Sequence, residues 1–307
     1  MIAKTAKTLL KAGISLAGMA YFLRTLDLRE VWSHLQHSDI LFLSLALCLY
    51  ILTQCLCAYR WAILSRAIGC PGTLVGFLRY YFIGMFLNLF LPTAIGGDMG
   101  RWYYLGQGKG GPARAVVSVL ADRGIGFLAL MFIASTILFL SPPLELPRPL
   151  PTVVFLVFLA LLCGFFLPFH AKVRSLLSRA GNPIALATAY WETPRILGGT
   201  FLFSFFLQMS VVAVNILVGI SLGIALPWTA YIALVPLVSA VSMLPSVGGI
   251  GVRENAYVFF LGAAGVTREM AGAFASEILV VLVLASLLGG LVWILAPLPP
   301  LKASGKG

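Results

Sequence analysis

Two stretches of this chain combine residues that break helices with residues that hold charge. "LPTAIGGDMGR", residues 91–101, places Pro92 and the pair Gly96 and Gly97 just ahead of Asp98 and Arg101. "LPSVGGIGVRE", residues 244–254, repeats the pattern with Pro245, Gly248, Gly249 and Gly251 ahead of Arg253 and Glu254. Leu91-Pro92-Thr93 parallels Leu244-Pro245-Ser246, and Arg101 parallels Arg253. Proline and paired glycines interrupt a helix and let the backbone approach a ligand closely. The helix restarting after such a break offers free amides and the positive end of its dipole, which attract an anion. An arginine in that first turn is badly placed for the dipole, so an anion should compensate it. Its planar fork suits phosphate oxygens, and its charge does not titrate away.

The compensating anion can come from the chain itself. Asp122 and Arg123 form a further charged pair, and Glu277 lies beyond the second motif. Asp98 or Asp122 is expected to pair with Arg101 or Arg123, and Glu254 or Glu277 with Arg253. Two readings stand side by side. Either the ion pairs staple broken helices to their neighbours, or the arginines approach the membrane midplane and hold a phosphate-bearing headgroup in turn. The anion-binding set is then Arg101, Arg253, Arg123, Gly96, Gly97, Gly249 and Gly251, with Asp98, Asp122, Glu254 and Glu277 as charge partners.

The elements that carry these residues must be membrane helices. Hydrophobic residues make up 60% of the 307, charged ones only 10%, outside the range of a soluble domain. Several apolar runs are long enough to span a bilayer, and the short alternating segments of an outer-membrane barrel are missing. The net charge of +11 would suggest nucleic acid in a soluble protein. Here the bases lie between apolar runs, where positive-inside bias and anionic headgroups account for them, so no nucleic-acid partner is expected.

Spans are expected near residues 8–26, 40–65, 115–140, 151–169, 196–222 and 274–297, with further apolar stretches at 74–92 and 229–245 that each end in a glycine-rich motif. Lys4, Lys7 and Lys11 hold the N-terminus in the cytoplasm. If 74–92 crossed completely, the loop with Arg101, Lys109 and Arg114 would lie outside, against the rule. If it turns back, that loop and the segment 170–195, with Lys172, Arg174, Arg179 and Arg195, are both cytoplasmic, as is the C-terminus. The same logic makes 229–267 a second hairpin entering from the outside. Three crossings separate the hairpins, an odd number, so their orientations are opposite. The expected fold is an all-α polytopic membrane protein with about six to eight transmembrane helices and two inverted-topology re-entrant hairpins. It forms a single domain over 1–307, with halves of approximately 1–145 and 146–300. Inverted repeats with broken helices at matching positions point to a transport site near the midplane. Eight simple crossings with two kinked helices are the alternative.

Weaker signals have ordinary explanations. His34 and His37 have metal-like spacing but lie in a polar loop, and no metal or cofactor is expected. Gln208 and Asn215 lie seven apart on one helix face, suited to a polar path or to interhelical hydrogen bonds. Arg60 and Arg66 read as the cytoplasmic end of the second span, with Trp61 as an interface anchor. Lys172, Arg174 and Arg179 read as a headgroup-contacting surface. The five cysteines read as small buried hydrophobes, and the N-terminal run also fits a signal peptide. No nucleotide-binding loop or hydrolase motif is visible and no catalytic residue is named. An intramembrane transferase using Asp98, Asp122 or Glu254 is the enzymatic alternative.

"NLFLPTAIGGDMGRWYYL", "SVLADRGIGFLAL" and "LPSVGGIGVRENAYVFFL", in that order, resemble the lysylphosphatidylglycerol synthase transmembrane family, also called flippase-like proteins, over nearly the whole chain. The family includes the N-terminal flippase half of the multiple peptide resistance factor. No counterpart of that factor's soluble aminoacyltransferase domain is expected, so the resemblance does not imply synthase activity. It implies binding or translocation of an anionic phospholipid or a polyprenyl-phosphate-linked lipid in the inner membrane. A separately encoded lipid synthase or glycosyltransferase is the protein partner it leaves open.

Overall fold

The computed structural model describes residues 20–21, 23–24, 26–90, 96–140, 146–170, 172, 175, 182–244 and 249–295. Every regular element among them is helical. A short helix α1 (Leu28–Gln36) is capped by the Asp27 carboxylate, which accepts from the amides of Arg29 and Glu30. The long helix α2 (Ile40–Ala67) follows, its first turn capped by Asp39. Next come α3 (Leu74–Phe90), α4 (Gly96–Gly106) and α5 (Gly111–Leu140). The second part of the chain has α6 (Pro149–Phe166), the short α7 (Asn182–Ala187) and α8 (Pro194–Ser221). It closes with α9 (Trp228–Val241), α10 (Val252–Gly262) and α11 (Arg268–Leu295). Proline occupies the first turn of α6 and α8, where its missing N–H costs nothing.

Five of these helices, α2, α5, α6, α8 and α11, are long and apolar enough to cross a membrane. At about 1.5 Å per residue the four longest run to about 42–45 Å, beyond the ~30 Å of a hydrocarbon core. α3 and α9 are shorter apolar helices, and α4 and α10 are shorter still at 11 residues each. The expected span at 8–26 lies almost wholly outside the described residues. α11 begins at Arg268, six residues before the expected start at 274, because Thr267 serves its first turn: the Met270 amide donates to the Thr267 hydroxyl.

The surface is that of a protein surrounded by lipid. α6 presents Val153, Phe155, Leu156 and Leu159 outward and buries only Val154. A helix apolar all round with its side chains outward is at home in hydrocarbon. Cys48 and Cys163 sit on such outward faces, so they are exposed rather than buried as the sequence suggested; Cys70 alone is fully buried.

Packing follows a regular plan. α2 lies along α8. α3 packs on α11, and α9 packs on α5; α5 packs on α8, and α11 on α2. Within each part, α3 packs on α4 and then α4 on α5, just as α9 packs on α10 and α10 on α11. Small residues make the closest of these contacts, which lets backbones approach where lipid offers no hydrophobic drive. Gly289 of α11 lies against the Phe82 carbonyl of α3, and Gly219 of α8 against the Tyr231 hydroxyl of α9.

α3 and α4 run antiparallel. Asn88 faces Gly97, Leu87 faces Gly100, Gly84 faces Gly97 and Arg101, and the Tyr80 ring stacks on Tyr104 at 5.7 Å. A Cβ on Gly84 would come within 2.7 Å of the Gly97 carbonyl oxygen and 3.0 Å of Arg101 Cγ. Glycine at 84 therefore sets how closely the arginine-bearing helix approaches its neighbour.

Candidate functional site

α4 carries Asp98 and Arg101 three residues apart on one face, where their side chains meet: Arg101 Nη1 donates to Asp98 Oδ1 at 3.2 Å. From there the contacts reach α5 and α2. Arg101 Nη2 donates to Asp122 Oδ2 at 2.8 Å. The other oxygen of Asp122 accepts from Arg60 Nε at 2.9 Å, and Arg60 Nη2 also donates to the Asp122 backbone carbonyl at 3.2 Å. Arg60 Nη1 donates to the Ser204 hydroxyl of α8 at 2.8 Å. At the other end Arg123 grips Asp98 with two bonds, Nε to Oδ2 at 2.7 Å and Nη2 to Oδ1 at 3.1 Å. The result is one chain of contacts: Ser204, Arg60, Asp122, Arg101, Asp98, Arg123.

Arg101 is further fixed by aromatic rings. Its guanidinium carbon lies 4.2 Å from the Trp61 ring centroid and 4.5 Å from that of Tyr81. Cation–π attraction of this kind strengthens when water is excluded. Trp61 is fully buried and donates its indole N–H to Ser118, so it is a wall of the site and not an interface anchor. Arg60 is likewise buried, with 6% of its surface exposed, so it does not mark the end of α2. It lies seven residues before Ala67, about 10 Å along the helix, where a cation needs a partner and finds Asp122. Arg66, in the last turn, does hold that end by donating to the Gly72 carbonyl.

Three guanidiniums against two carboxylates leave this cluster one positive charge in excess. The four inner members are nearly sealed, but the Arg123 side chain is half exposed. Arg101 Nε is buried and has no hydrogen-bond partner among the described residues. The cluster is thus a rigid cationic frame with one accessible arm. Gly126 allows the frame to form, since a Cβ there would press to 3.3 Å from both terminal nitrogens of Arg60. Gln208 of α8 donates to the Gly126 carbonyl at 3.2 Å, an interhelical bond beside the frame.

At the second motif, Gly249 and Gly251 adopt φ of 81° and 82°, a conformation that L side chains rarely take. The chain turns there into α10, and Glu254, with no exposed surface, caps the turn: its Oε2 accepts from the Gly251 amide at 2.6 Å. Its Oε1 accepts from Arg253 Nη2 at 2.7 Å. The positive end of this helix is therefore already served by the chain's own carboxylate. Arg253 Nε, like Arg101 Nε, is buried without a hydrogen-bond partner among the described residues. Tyr257 donates to Asn215 of α8 at 2.8 Å, so Asn215 works as an interhelical anchor. Glu277 of α11 is not in an ion pair with Arg253; its Oε2 contacts the Ser221 hydroxyl of α8 at 2.6 Å.

Gly96 opens α4, and the neighbouring Gly97 amide points to Asn88 Oδ1 at 3.5 Å. The first motif gathers Gly97, Asp98, Arg101, Asp122 and Arg123 with Arg60. The second gathers Gly249, Gly251, Arg253 and Glu254, with Glu277 apart. Arg60, Ser204, Trp61 and Tyr81 were absent from the sequence-derived set. A signal for Arg60 existed, since seven mostly apolar residues separate it from the helix end. Nothing local could reveal Ser204, which lies 144 positions away. Among the described residues no group of three or more His, Cys, Asp or Glu side chains is placed to hold a metal, and His34 lies instead beside Glu30. Arg174 and Arg179 lie outside the described residues.

The chain matches the family model described as the lysylphosphatidylglycerol synthase TM region over residues 8–290, which takes in both motifs and the whole charge cluster. No curated protein matches it. The chain belongs to that family and is a multi-pass, flippase-like membrane protein.

Proposed function

We propose that this family member binds and translocates a lipid with a phosphate headgroup, an anionic phospholipid or a polyprenyl-phosphate-linked lipid, in the inner membrane. The observation that carries the reading is the charge imbalance of the first cluster. One net positive charge in a low-dielectric site requires an anion, and the half-exposed Arg123 is the arm that would meet it. Arginine clusters favour phosphate because two parallel N–H bonds match two of its oxygens. Arg101, held between two rings and two carboxylates, fixes the frame; Arg253 is its counterpart across the repeat.

The architecture proposed to move such a lipid has six spans and two re-entrant hairpins, in halves of approximately 1–145 and 146–300. Helix lengths support it: α4 and α10, at about 16 Å each, are too short to cross a ~30 Å core alone. The packing plan supports it as well. Exchange α2 with α8, α3 with α9, α4 with α10 and α5 with α11, and the main packing pairs map onto one another. A pseudo-twofold arrangement has that property, and with cytoplasmic termini and opposed hairpins it presents one arginine to each side in turn.

The test is translocation by the purified protein alone in vesicles carrying a headgroup- or tail-labelled fluorescent phosphatidylglycerol, followed by quenching of the outer leaflet. The reading predicts that nearly all label becomes accessible, and much faster than in protein-free vesicles. Label that stays half protected would overturn it. A chemically altered lipid would instead indicate transferase chemistry at the same carboxylates.

A further inference from the structure

We infer that Glu277 is a proton-binding site, separate from the Arg253 site, and holds its proton as a neutral carboxylic acid in this conformation. The argument begins with the Ser221 hydroxyl, which lies 2.7 Å from the Val218 carbonyl oxygen and 2.6 Å from Glu277 Oε2. A hydroxyl has one hydrogen to give, whereas a carbonyl and an ionised carboxylate can only accept. The two short contacts are both satisfied when Ser221 donates to Val218 and the Glu277 carboxyl donates to Ser221. The Val218 carbonyl needs that donor. It belongs to the last turn of α8, and the Leu222 amide that donates to it stands off at 3.4 Å.

The surroundings agree. Glu277 is 2% exposed and takes part in no ion pair among the described residues. Its second oxygen is buried without a hydrogen bond among the described residues, and so is the Ser38 hydroxyl. Among the described residues no charged group on the helices packed against α11 forms an ion pair with Glu277. Glu30 and His34 of α1 face each other at 3.8 Å, Arg253 and Glu254 of α10 pair, and Arg60 of α2 is held by Asp122. Tyr257 of α10 donates to Asn215, and the Asp39 carboxylate at the start of α2 accepts from the Leu41 amide. Arg79 of α3 is exposed, and Arg195 stands at the opposite end of α8 from Ser221. A carboxylate buried without a cation is expensive, and taking up a proton removes the cost.

This site needs no lipid movement to be tested. Infrared difference spectra of the full-length protein in lipid vesicles at neutral pH, wild type minus E277Q, should show a protonated-carboxyl C=O stretch that shifts in D2O. Carboxylate stretches of the wild type in its place would overturn the assignment. Wild type minus S221A provides an independent reading should E277Q fold poorly. The same carboxyl band should move to higher frequency once its Ser221 partner is gone, and a band that does not move, or no carboxyl band at all, would overturn it.

Discussion

Arg101 and Asp122 meet at 2.8 Å across the interface of α4 and α5, and through this bond the short helix after the first glycine break is tied to the body of the protein. Asp122 also holds Arg60 of α2, and Arg101 also holds Asp98. One carboxylate thus fixes two helices to a third.

Asp122→Asn removes the charge that neutralises two buried arginines. Breaking a buried pair by deleting one partner costs about 3–5 kcal/mol. Thermal unfolding in detergent should show a loss of that order. Replacing Arg60 and Asp122 together with Met and Leu should cost clearly less than the sum of the single changes, because no isolated charge is left at that contact. Additive losses would mean that the pair is not coupled as described.

Arg101→Lys keeps the charge but loses the fork and most of the stacking between Trp61 and Tyr81. Charge-assisted hydrogen bonds contribute about 1.5–3 kcal/mol each, so lipid transfer should fall by roughly ten- to a hundredfold. Membrane insertion, read from the fraction recovered in washed membranes, should stay at the wild-type level.

Gly84→Ala should separate α3 from α4, since the added Cβ meets the Gly97 carbonyl and the stem of Arg101. Overpacking of this kind costs about 1–3 kcal/mol. A melting temperature equal to that of the wild type would show that the two helices are not held so closely.

The proposed opposed hairpins put Gly106 and Arg268 on different sides of the membrane. In a background cleared of the five native cysteines, Gly106→Cys should react with a membrane-impermeant thiol reagent only from the cytoplasmic side. Arg268→Cys should react only from outside. Labelling of both from one side would break the inverted arrangement.

The helical class and the positions of the long spans could be read from hydropathy because a 28-residue apolar run is its own signal. Within the two motifs the near charge pairs were legible from spacing. Asp98 and Arg101 are three apart on a helix, and Arg253 adjoins Glu254, so the nearest partners are built into the spacing. What spacing could not carry was tertiary. Arg60 finds Asp122 over 62 positions, and Trp61 becomes a wall of the site because α4 brings Arg101 over its ring. Asp122 could be named as a partner, but its choice of Arg101 and Arg60 over its neighbour Arg123 depends on how α2, α4 and α5 converge. Glu277 was equally open, since its packing against Ser221 is set by the end of α8, 56 positions earlier.

The central claim is that the charged frames built on the arginines of the two motifs serve a lipid phosphate, and the double variant R101K/R253K tests it most directly. Reconstituted at wild-type protein density and assayed for exposure of fluorescent phosphatidylglycerol, it is predicted to approach the rate of protein-free vesicles. Transfer at the wild-type rate by the folded double variant would contradict the account.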